Sequence, residues 1–236
     1  MLLVALWTLL VFFIPPTGSV WIGEEYWATV SKDGSHLLDG RSRTELARFE
    51  VTFGGQAVDA YVAYWITEDE RGHHESYGQA WIEDGGRICG RFVGRWKNKV
   101  ELCGGFRVLA RHHTAGINPF HFVKSKNTDA ERAVTYRGIQ IARINAWQRT
   151  YSFLGSADLR HKRAYGIEYD SSLVEVEEQK DPFFFDHFVE VLVMSPYSEH
   201  YLLGDDDGYS RSYNSHFGRQ NTDDDSDEEL GDYAIL

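Results

Sequence analysis

The sequence is short of proline, of basic residues and of long apolar runs, and each shortage excludes a class of protein. It has 5 prolines and 22 glycines among 236 residues, which excludes proline-rich and collagen-like proteins. Its 24 lysines and arginines are outnumbered by 36 aspartates and glutamates, and a net charge of -12 disfavours nucleic-acid binding. The longest apolar run has thirteen residues, whereas a membrane-spanning helix needs about 20. No asparagine stands in a glycosylation sequon.

The amino terminus has the pattern of a signal peptide. The apolar run Leu2 to Ile14 is followed by Pro15-Pro16 and by the small residues Thr17 and Ser19, although no lysine or arginine precedes the run. We therefore predict a signal peptide over residues 1–19 and a secreted chain, extracellular or in the secretory lumen. No stable membrane insertion is expected after cleavage. An amino-terminal core strand and an uncleaved anchor are the alternatives.

Two cysteines, Cys89 and Cys103, stand between short strand-like segments. In an oxidising compartment such a pair most often forms a disulfide, which would join the two strands of a hairpin. The alternative is a thiol pair that binds a metal or does redox chemistry, but the spacing does not match a C-x-x-C motif.

The body of the chain carries the pattern of an all-β domain. Aromatic residues make up 14% of the sequence, and short runs rich in Val, Ile, Tyr and Trp alternate with glycine-rich turns at intervals of about 8–12 residues. We predict a sandwich or a β-repeat barrel over residues 20–203, with one hairpin disulfide. Residues 204–236 are predicted to be a disordered acidic tail. Two duplicated halves, about 20–111 and 112–203, are an open interpretation.

The duplication rests on two stretches that begin with a strand and end in a charged residue followed by Val-Leu. The first stretch contains the segments Gly78-Gln79-Ala80, Glu83-Asp84-Gly85, Gly90-Arg91-Phe92 and Val108-Leu109. The second stretch contains a strand from Ile139 to Arg143, then Tyr165, Tyr169 and Glu190-Val191-Leu192.

Over residues 77–194 this order resembles the DM-nine repeat, a family of tandem β-repeats that includes mannose-binding lectins. The resemblance implies a β-repeat lectin in which Arg91 occupies the position of the basic residue of the repeat. The chain departs from the repeat pattern at Cys89, which replaces a proline, and at Arg91, which replaces a lysine.

The predicted ligand-binding residues follow from this resemblance and from one basic loop. Trp96 lies between Arg95 and Lys97 in the presumed disulfide hairpin, where a tryptophan is poorly placed for a core and could bind an anionic sugar, a lipid head group or a protein partner. The alternative is a turn whose tryptophan folds back on the sheet. With Arg91 and Asp84 of the repeat-like stretch, these residues make up the predicted ligand-binding set.

The sequence offers no convincing catalytic or metal-binding pattern. Neighbouring histidines on a strand point to opposite faces, so neither histidine pair chelates alone. Ser35, His36 and Asp39 are close in sequence, but a catalytic triad is assembled in space and not along the chain, and Asp33-Gly34 is better explained as a turn. Glu175 and Glu177 are better explained by a solvated strand face than by a pair of glycosidase carboxylates. We predict no catalytic residue, no metal and no cofactor. The three phenylalanines of residues 183–185 are interpreted as core, with an exposed apolar patch for a partner as the alternative.

The tail carries most of the charge. Its ten acidic and two basic residues account for two thirds of the net charge of the chain. Ser226, in an acidic run, is a candidate for phosphorylation, and Tyr209 and Tyr233 are candidates for sulfation.

Three functions are compatible with these features. The first is a secreted non-catalytic binding protein that recognises carbohydrate. The second is a secreted interaction factor whose acidic tail binds basic surfaces of a protein partner, and the third is a glycosidase-like enzyme. The partners expected are therefore carbohydrate or protein, not nucleic acid.

Overall fold

A computed structural model describes residues 20–112, 118–128, 132–136, 138–146, 150–169, 172–180 and 182–195. All of them belong to one unit, Met1–Leu203, and the second unit, Gly204–Leu236, lies outside them. The predicted signal peptide and acidic tail, with Ser226, Tyr209 and Tyr233, also lie outside the described residues and stay predictions.

The described residues form two β-sheets, which confirms the predicted all-β class. The strands of the first sheet are β2 (Trp27–Thr29), β3 (Arg48–Phe53), β4 (Gln56–Asp69), β5 (Gly72–Ile82), β6 (Ile88–Val93), β7 (Lys99–Cys103) and β8 (Arg107–Leu109). Those of the second are β1 (Val20–Trp21), β9 (Phe120–Lys124), β10 (Val134–Tyr136), β11 (Ile139–Ala146), β12 (Tyr151–Asp158), β13 (Arg163–Ile167), β14 (Leu173–Glu177) and β15 (Val189–Met194). The strands pair antiparallel, apart from the short parallel pair of β1 and β10.

Helices are short. The described ranges contain one α-helix, α1 (Pro182–Phe188), and 3-10 helices over Glu24–Tyr26, Arg43–Glu45 and Ser125–Asn127. Among the residues that the structure describes, no helix combines the length and apolar character that crossing a membrane requires.

The two sheets share one strand order. The first runs β2-β8-β4-β5-β6-β7 and the second β9-β15-β11-β12-β13-β14, while β3 and β10 pair with β4 and β11. The register also agrees, since Ala63 lies opposite Gly78 as Ala142 lies opposite Gly155. This register aligns Gly78 of β5 with Gly155 of β12. The sequence pattern had instead matched the stretch around Gly78 to the one that begins at Ile139, which is β11, one strand earlier.

The main core lies between the sheets and is rich in aromatic rings. Trp27, Tyr64 and Tyr77 of the first sheet pack with Tyr136 of the second, with Trp27 and Tyr136 ring centroids 5.2 Å apart. Side chains that alternate with these along the strands form a second cluster on the outer face of the first sheet, covered by Leu37 and Leu46. Each sheet is thus covered on both faces, because α1 packs over the outer face of the second sheet.

Tyr77 links the two sheets by hydrogen bonds as well as by packing. Its buried hydroxyl donates to the carbonyl of Tyr136 and accepts from the backbone N–H of the same residue at 3.1 Å. Burial raises the pKa of Tyr77 well above its ordinary value, so the hydroxyl keeps its proton at neutral pH.

Replacing Tyr77 with phenylalanine is expected to lower the free energy of unfolding by about 1–2 kcal/mol, because two buried backbone groups lose their partner. Urea unfolding followed by circular dichroism measures the change. Tyr61→Phe is the matched control, since the half-buried Tyr61 hydroxyl makes no hydrogen bond to the described residues. Equal effects of the two variants would contradict the role given to the Tyr77 hydroxyl.

The prediction that the three phenylalanines lie in the core is wrong for one of them. They belong to α1, where Phe185 is buried and Phe184 half-buried but Phe183 is 63% exposed. A helix turns successive side chains by about 100°, so adjacent residues cannot all face one core. Phe183 instead stacks on the ring of His187 one turn later, with centroids 4.1 Å apart.

Candidate ligand-binding site

The candidate site starts from one face of β5. Tyr77, Gln79 and Trp81 alternate along this strand and therefore share the face that looks toward the second sheet. Gln79 lies opposite Arg91 of β6, and Arg91 lies opposite Glu101 of β7. The register thus places an amide, a guanidinium and a carboxylate side by side across three strands.

Beside this row the structure forms a cavity of about 270 Å³. Gln79, Trp81 and Arg91 of the first sheet line it together with Ile167 and Tyr169 of the second. Ile167 ends β13 and Tyr169 lies in the turn that follows. The cavity is therefore built from both sheets and exists only when they are packed together.

Arg91 is held from several sides. Its Nε atom lies 3.2 Å from a carboxylate oxygen of Glu101, and its Nη1 atom donates to the carbonyls of Glu168 at 3.1 Å and Tyr169 at 3.4 Å. Its guanidinium carbon lies 5.3 Å from the ring centroid of Trp81 and 5.7 Å from that of Tyr169. These contacts fix the guanidinium at the wall of the cavity with its charge only partly balanced by Glu101.

Gln79 is also oriented by a contact across the sheets. Its Oε1 atom accepts a hydrogen bond from the backbone N–H of Leu154 in β12 at 3.3 Å. The amide oxygen is thereby occupied, while the amide nitrogen makes no hydrogen bond to the described residues. Gln79 consequently presents a donor, not an acceptor, to a ligand in the cavity.

Aromatic rings extend away from the cavity on one side. The ring of Phe53 lies 4.2 Å from that of Tyr169 and 5.7 Å from that of Tyr151, measured between centroids. Phe53 is 44% exposed, so this row of rings is open to solvent. Such rings can pack against the apolar face of a sugar.

The structure separates the predicted ligand-binding residues into three places. Arg91 lines the cavity. Asp84 is exposed in the turn between β5 and β6, at one end of β6. Arg95, Trp96 and Lys97 form the turn between β6 and β7, at the other end of that strand.

The turn that carries Trp96 is held by its two basic neighbours. Arg95 donates to the carbonyl of Gly72 and lies 3.3 Å from Asp69. Lys97 has a φ of 57° and pairs with Glu175 at 2.8 Å. Between them Trp96 is 68% exposed.

The ring of Trp96 is nevertheless partly covered by a cation. The guanidinium carbon of Arg71 lies 4.8 Å from its centroid. The predicted alternative, a tryptophan folded back on the sheet, does not fit a ring this exposed.

The second sheet carries different chemistry at the equivalent register. Tyr165 lies opposite Ser156 as Arg91 lies opposite Gln79, and Asp158 takes the place of Trp81. Burial raises the pKa of Tyr165, and the charges of Asp158 and Glu175 raise it further, so Tyr165 is neutral at physiological pH. The cation and the indole that face each other in the first half are therefore replaced here by a neutral phenol and a carboxylate.

The disulfide joins the two strands that carry the Arg91–Glu101 pair. Cys89 and Cys103 are bonded and lie directly opposite each other on β6 and β7, which confirms the predicted hairpin disulfide. A carboxylate oxygen of Glu83 and the Sγ atoms of the two cysteines lie within 4.8 Å of one another. Because both sulfurs are used in the bond, this group has no thiolate to offer a metal.

The residues considered for catalysis are engaged in hydrogen bonds and ion pairs. The Asp39 carboxylate lies 3.4 Å from Nε of Arg41. The Asp33 carboxylate accepts hydrogen bonds from Ser31 and Ser35, which lower its pKa, and Ser35 also contacts His36 in the same exposed turn. Glu175 pairs with Lys97 as described above, and the Glu177 carboxylate lies 3.1 Å from the ammonium of Lys180.

Sequence reasoning missed four of the five residues that line the cavity. Gln79 and Trp81 stand in the stretch used for the repeat, and their spacing of two with the register to Arg91 could have grouped them. Ile167 and Tyr169 come from the other sheet and carry no local signal, because only the packing of the sheets brings them to Arg91.

The comparison with solved structures finds distant likenesses. The crystal structure of the nematode sperm cell motility protein MFP2B superposes with a TM-score of 0.45 at 20% identity, over 77% of this chain and 49% of that one. The chain thus spans about half the length of that protein. No family model matches, so the DM-nine similarity stays a resemblance. No curated protein matches either.

Proposed function

We propose that this protein is a secreted, non-catalytic binding protein that recognises carbohydrate in the cavity between its sheets. The observation that carries the proposal is the wall of that cavity, where Trp81 and Tyr169 flank the guanidinium of Arg91. Aromatic rings take the apolar face of a sugar, and fixed donors take its hydroxyls.

Two further features support this proposal. The donors are positioned before any ligand arrives, since Glu101 and the carbonyls after β13 hold Arg91 in place, and such preorganisation lowers the cost of binding. The Cys89–Cys103 bond fits a protein that folds in an oxidising compartment.

Replacing Trp81 with alanine is expected to weaken sugar binding at least about tenfold, because a ring that stacks on the ligand is lost. The measurement is a glycan array with the purified full-length protein, followed by calorimetric titration with the best ligand.

Trp96→Ala is the matched control, since it removes an exposed tryptophan from the turn at the end of β6 and leaves the cavity intact. Loss of binding in Trp96→Ala alone would place the ligand at that turn. No sugar bound by the unaltered protein would overturn the proposed function.

A protein partner at the Trp96 turn is the second candidate function. The observation that favours it is an exposed indole fixed against Arg71 on a turn held by Arg95. Tryptophan and arginine are enriched at the energetic centres of protein interfaces. A partner isolated with the full-length protein and lost with Trp96→Ala would support this candidate.

A further inference from the structure

We propose that the cavity selects sugars that carry a carboxylate, such as hexuronic acids or sialic acid. This inference rests on the proposed function and names the class of ligand that the same site prefers. It follows from the polar groups of the cavity, from the one guanidinium nitrogen of Arg91 that is still available, and from the volume of the cavity.

The polar groups on the cavity wall favour an acceptor over a donor. Of the five described residues that line it, none is acidic, and one is a guanidinium. Gln79 offers its amide nitrogen, because its amide oxygen already accepts from Leu154. A neutral sugar offers hydroxyls that both donate and accept, whereas a carboxylate only accepts and matches this set of donors more fully.

The available nitrogen of Arg91 is Nη2. Within the described residues, the hydrogen bonds of this guanidinium use Nε and Nη1, toward Glu101 and the carbonyls of Glu168 and Tyr169. The two N–H groups of Nη2 can therefore bind a ligand oxygen without breaking the contacts that hold Arg91. A hydrogen bond from a guanidinium is charge-assisted with any acceptor, and a carboxylate adds the attraction between opposite charges.

The environment of this guanidinium strengthens a charged contact. The side chain of Arg91 is 16% exposed, so a carboxylate bound to it is only weakly screened by water and salt. The rings of Trp81 and Tyr169 cover the guanidinium and supply the apolar wall. The net charge of -12 repels anions at long range, so the preference has to come from these short contacts.

The cavity holds one sugar ring. Its volume of about 270 Å³ lies just below the range of roughly 300–1,000 Å³ typical of sites for drug-sized ligands. The row formed by Phe53, Tyr151 and Tyr169 begins at its edge and can carry the next ring of an oligosaccharide. A terminal or single acidic residue of the glycan would thus occupy the cavity.

The test compares acidic sugars with their neutral parents on the full-length protein. The probes are galacturonate and glucuronate oligomers and sialyllactose, each beside the matching galactose, glucose and lactose compounds. We expect at least about tenfold tighter binding of one acid than of its parent, and we expect the preference to persist at physiological salt. The three acids separate plant-type, glycosaminoglycan-type and sialylated sources of the same chemistry.

Arg91→Gln should reduce the affinity for the acid to that for its neutral parent. Arg87→Gln removes the same charge from an exposed position outside the cavity and should keep the preference. If Arg91→Gln does not fold, Arg91→Lys keeps the charge without the planar fork and should retain a weaker preference.

The outcomes separate the two proposals. A neutral sugar bound as tightly as its acid, with binding lost in Trp81→Ala, overturns the acid preference and leaves the carbohydrate function. An acid preference that Arg87→Gln removes as fully as Arg91→Gln also overturns it, since long-range charge would then explain the result. No sugar bound at all overturns both.

Discussion

Gly78→Ala is expected to lower the free energy of unfolding by about 3 kcal/mol. A Cβ atom built at Gly78 would lie 2.0 Å from the carbonyl oxygen of Arg91 and 2.8 Å from the ring of Phe92. The first of these is backbone, which cannot rotate away as a side chain does. Strand β6 would have to move away from β5, and the hydrogen bonds between them would weaken.

The same substitution is expected to damage the site. Arg91 is carried by the part of β6 that has to move, so its contacts with Glu101 and with the second sheet would be disturbed. Urea unfolding measures the stability, and titration with the best glycan measures the binding. Gly85→Ala is the control, because a Cβ atom there meets nothing within 4 Å. A Gly78→Ala protein as stable as the Gly85→Ala protein would contradict the close approach of the two strands.

Removing the disulfide with Cys89→Ala and Cys103→Ala together is the second large change. The cysteines are 14 positions apart, and opening a loop of that length is expected to lower the free energy of unfolding by about 3 kcal/mol. Among the described residues β7 pairs with β6 alone, so the bond also holds an edge strand in place. Glu101 lies on that strand, and we expect the affinity for the ligand to fall as well.

The second sheet provides the control for this prediction. Arg163 and Glu177 occupy the register of Cys89 and Cys103 and form an ion pair at 3.8 Å. Arg163 is 52% exposed, and an exposed pair contributes at most about 1 kcal/mol, so Arg163→Gln should change stability little. Urea unfolding of both variants, and of the unaltered protein with and without a dithiol reductant, tests the comparison. A double cysteine variant that unfolds like the unaltered protein would show that the bond adds no stability.

Those features of the fold that depend on a short segment of sequence could be predicted from it. Alternating apolar residues and glycine turns indicated the strands, and the isolated pair of cysteines indicated the bond between β6 and β7. Phe183 was misjudged because a short apolar run does not distinguish a strand from a helix, and a helix turns this residue away from the core. Its helix begins at Pro182, a residue that suits the first turn of a helix.

The site was less predictable than the fold because it depends on pairing and packing. Arg91 was singled out from its position in the repeat-like stretch, but its neighbours Gln79 and Glu101 are assigned only by the register of three strands. Ile167 and Tyr169 lie more than seventy residues further along the chain and reach the cavity through the packing of two sheets. Nothing in the local sequence around either residue encodes that meeting.

At the register position where the first sheet has the Cys89–Cys103 disulfide, the second sheet has the Arg163–Glu177 ion pair. The two walls of the cavity therefore differ in how firmly their outer strands are joined. Trp81 lies on β5 and Arg91 on β6, and the covalent bond between Cys89 and Cys103 joins β6 to the edge strand β7. Ile167 ends β13 and Tyr169 lies just beyond it. Besides its backbone pairing, β13 is joined to the edge strand β14 by the ion pair of Arg163 and Glu177, in which Arg163 is half-exposed to water. The side of the cavity formed by the first sheet is therefore expected to be more rigid than the side formed by the second. We therefore expect a ligand larger than the cavity to displace Ile167 and Tyr169 on the second sheet, while Arg91 keeps its position on the first.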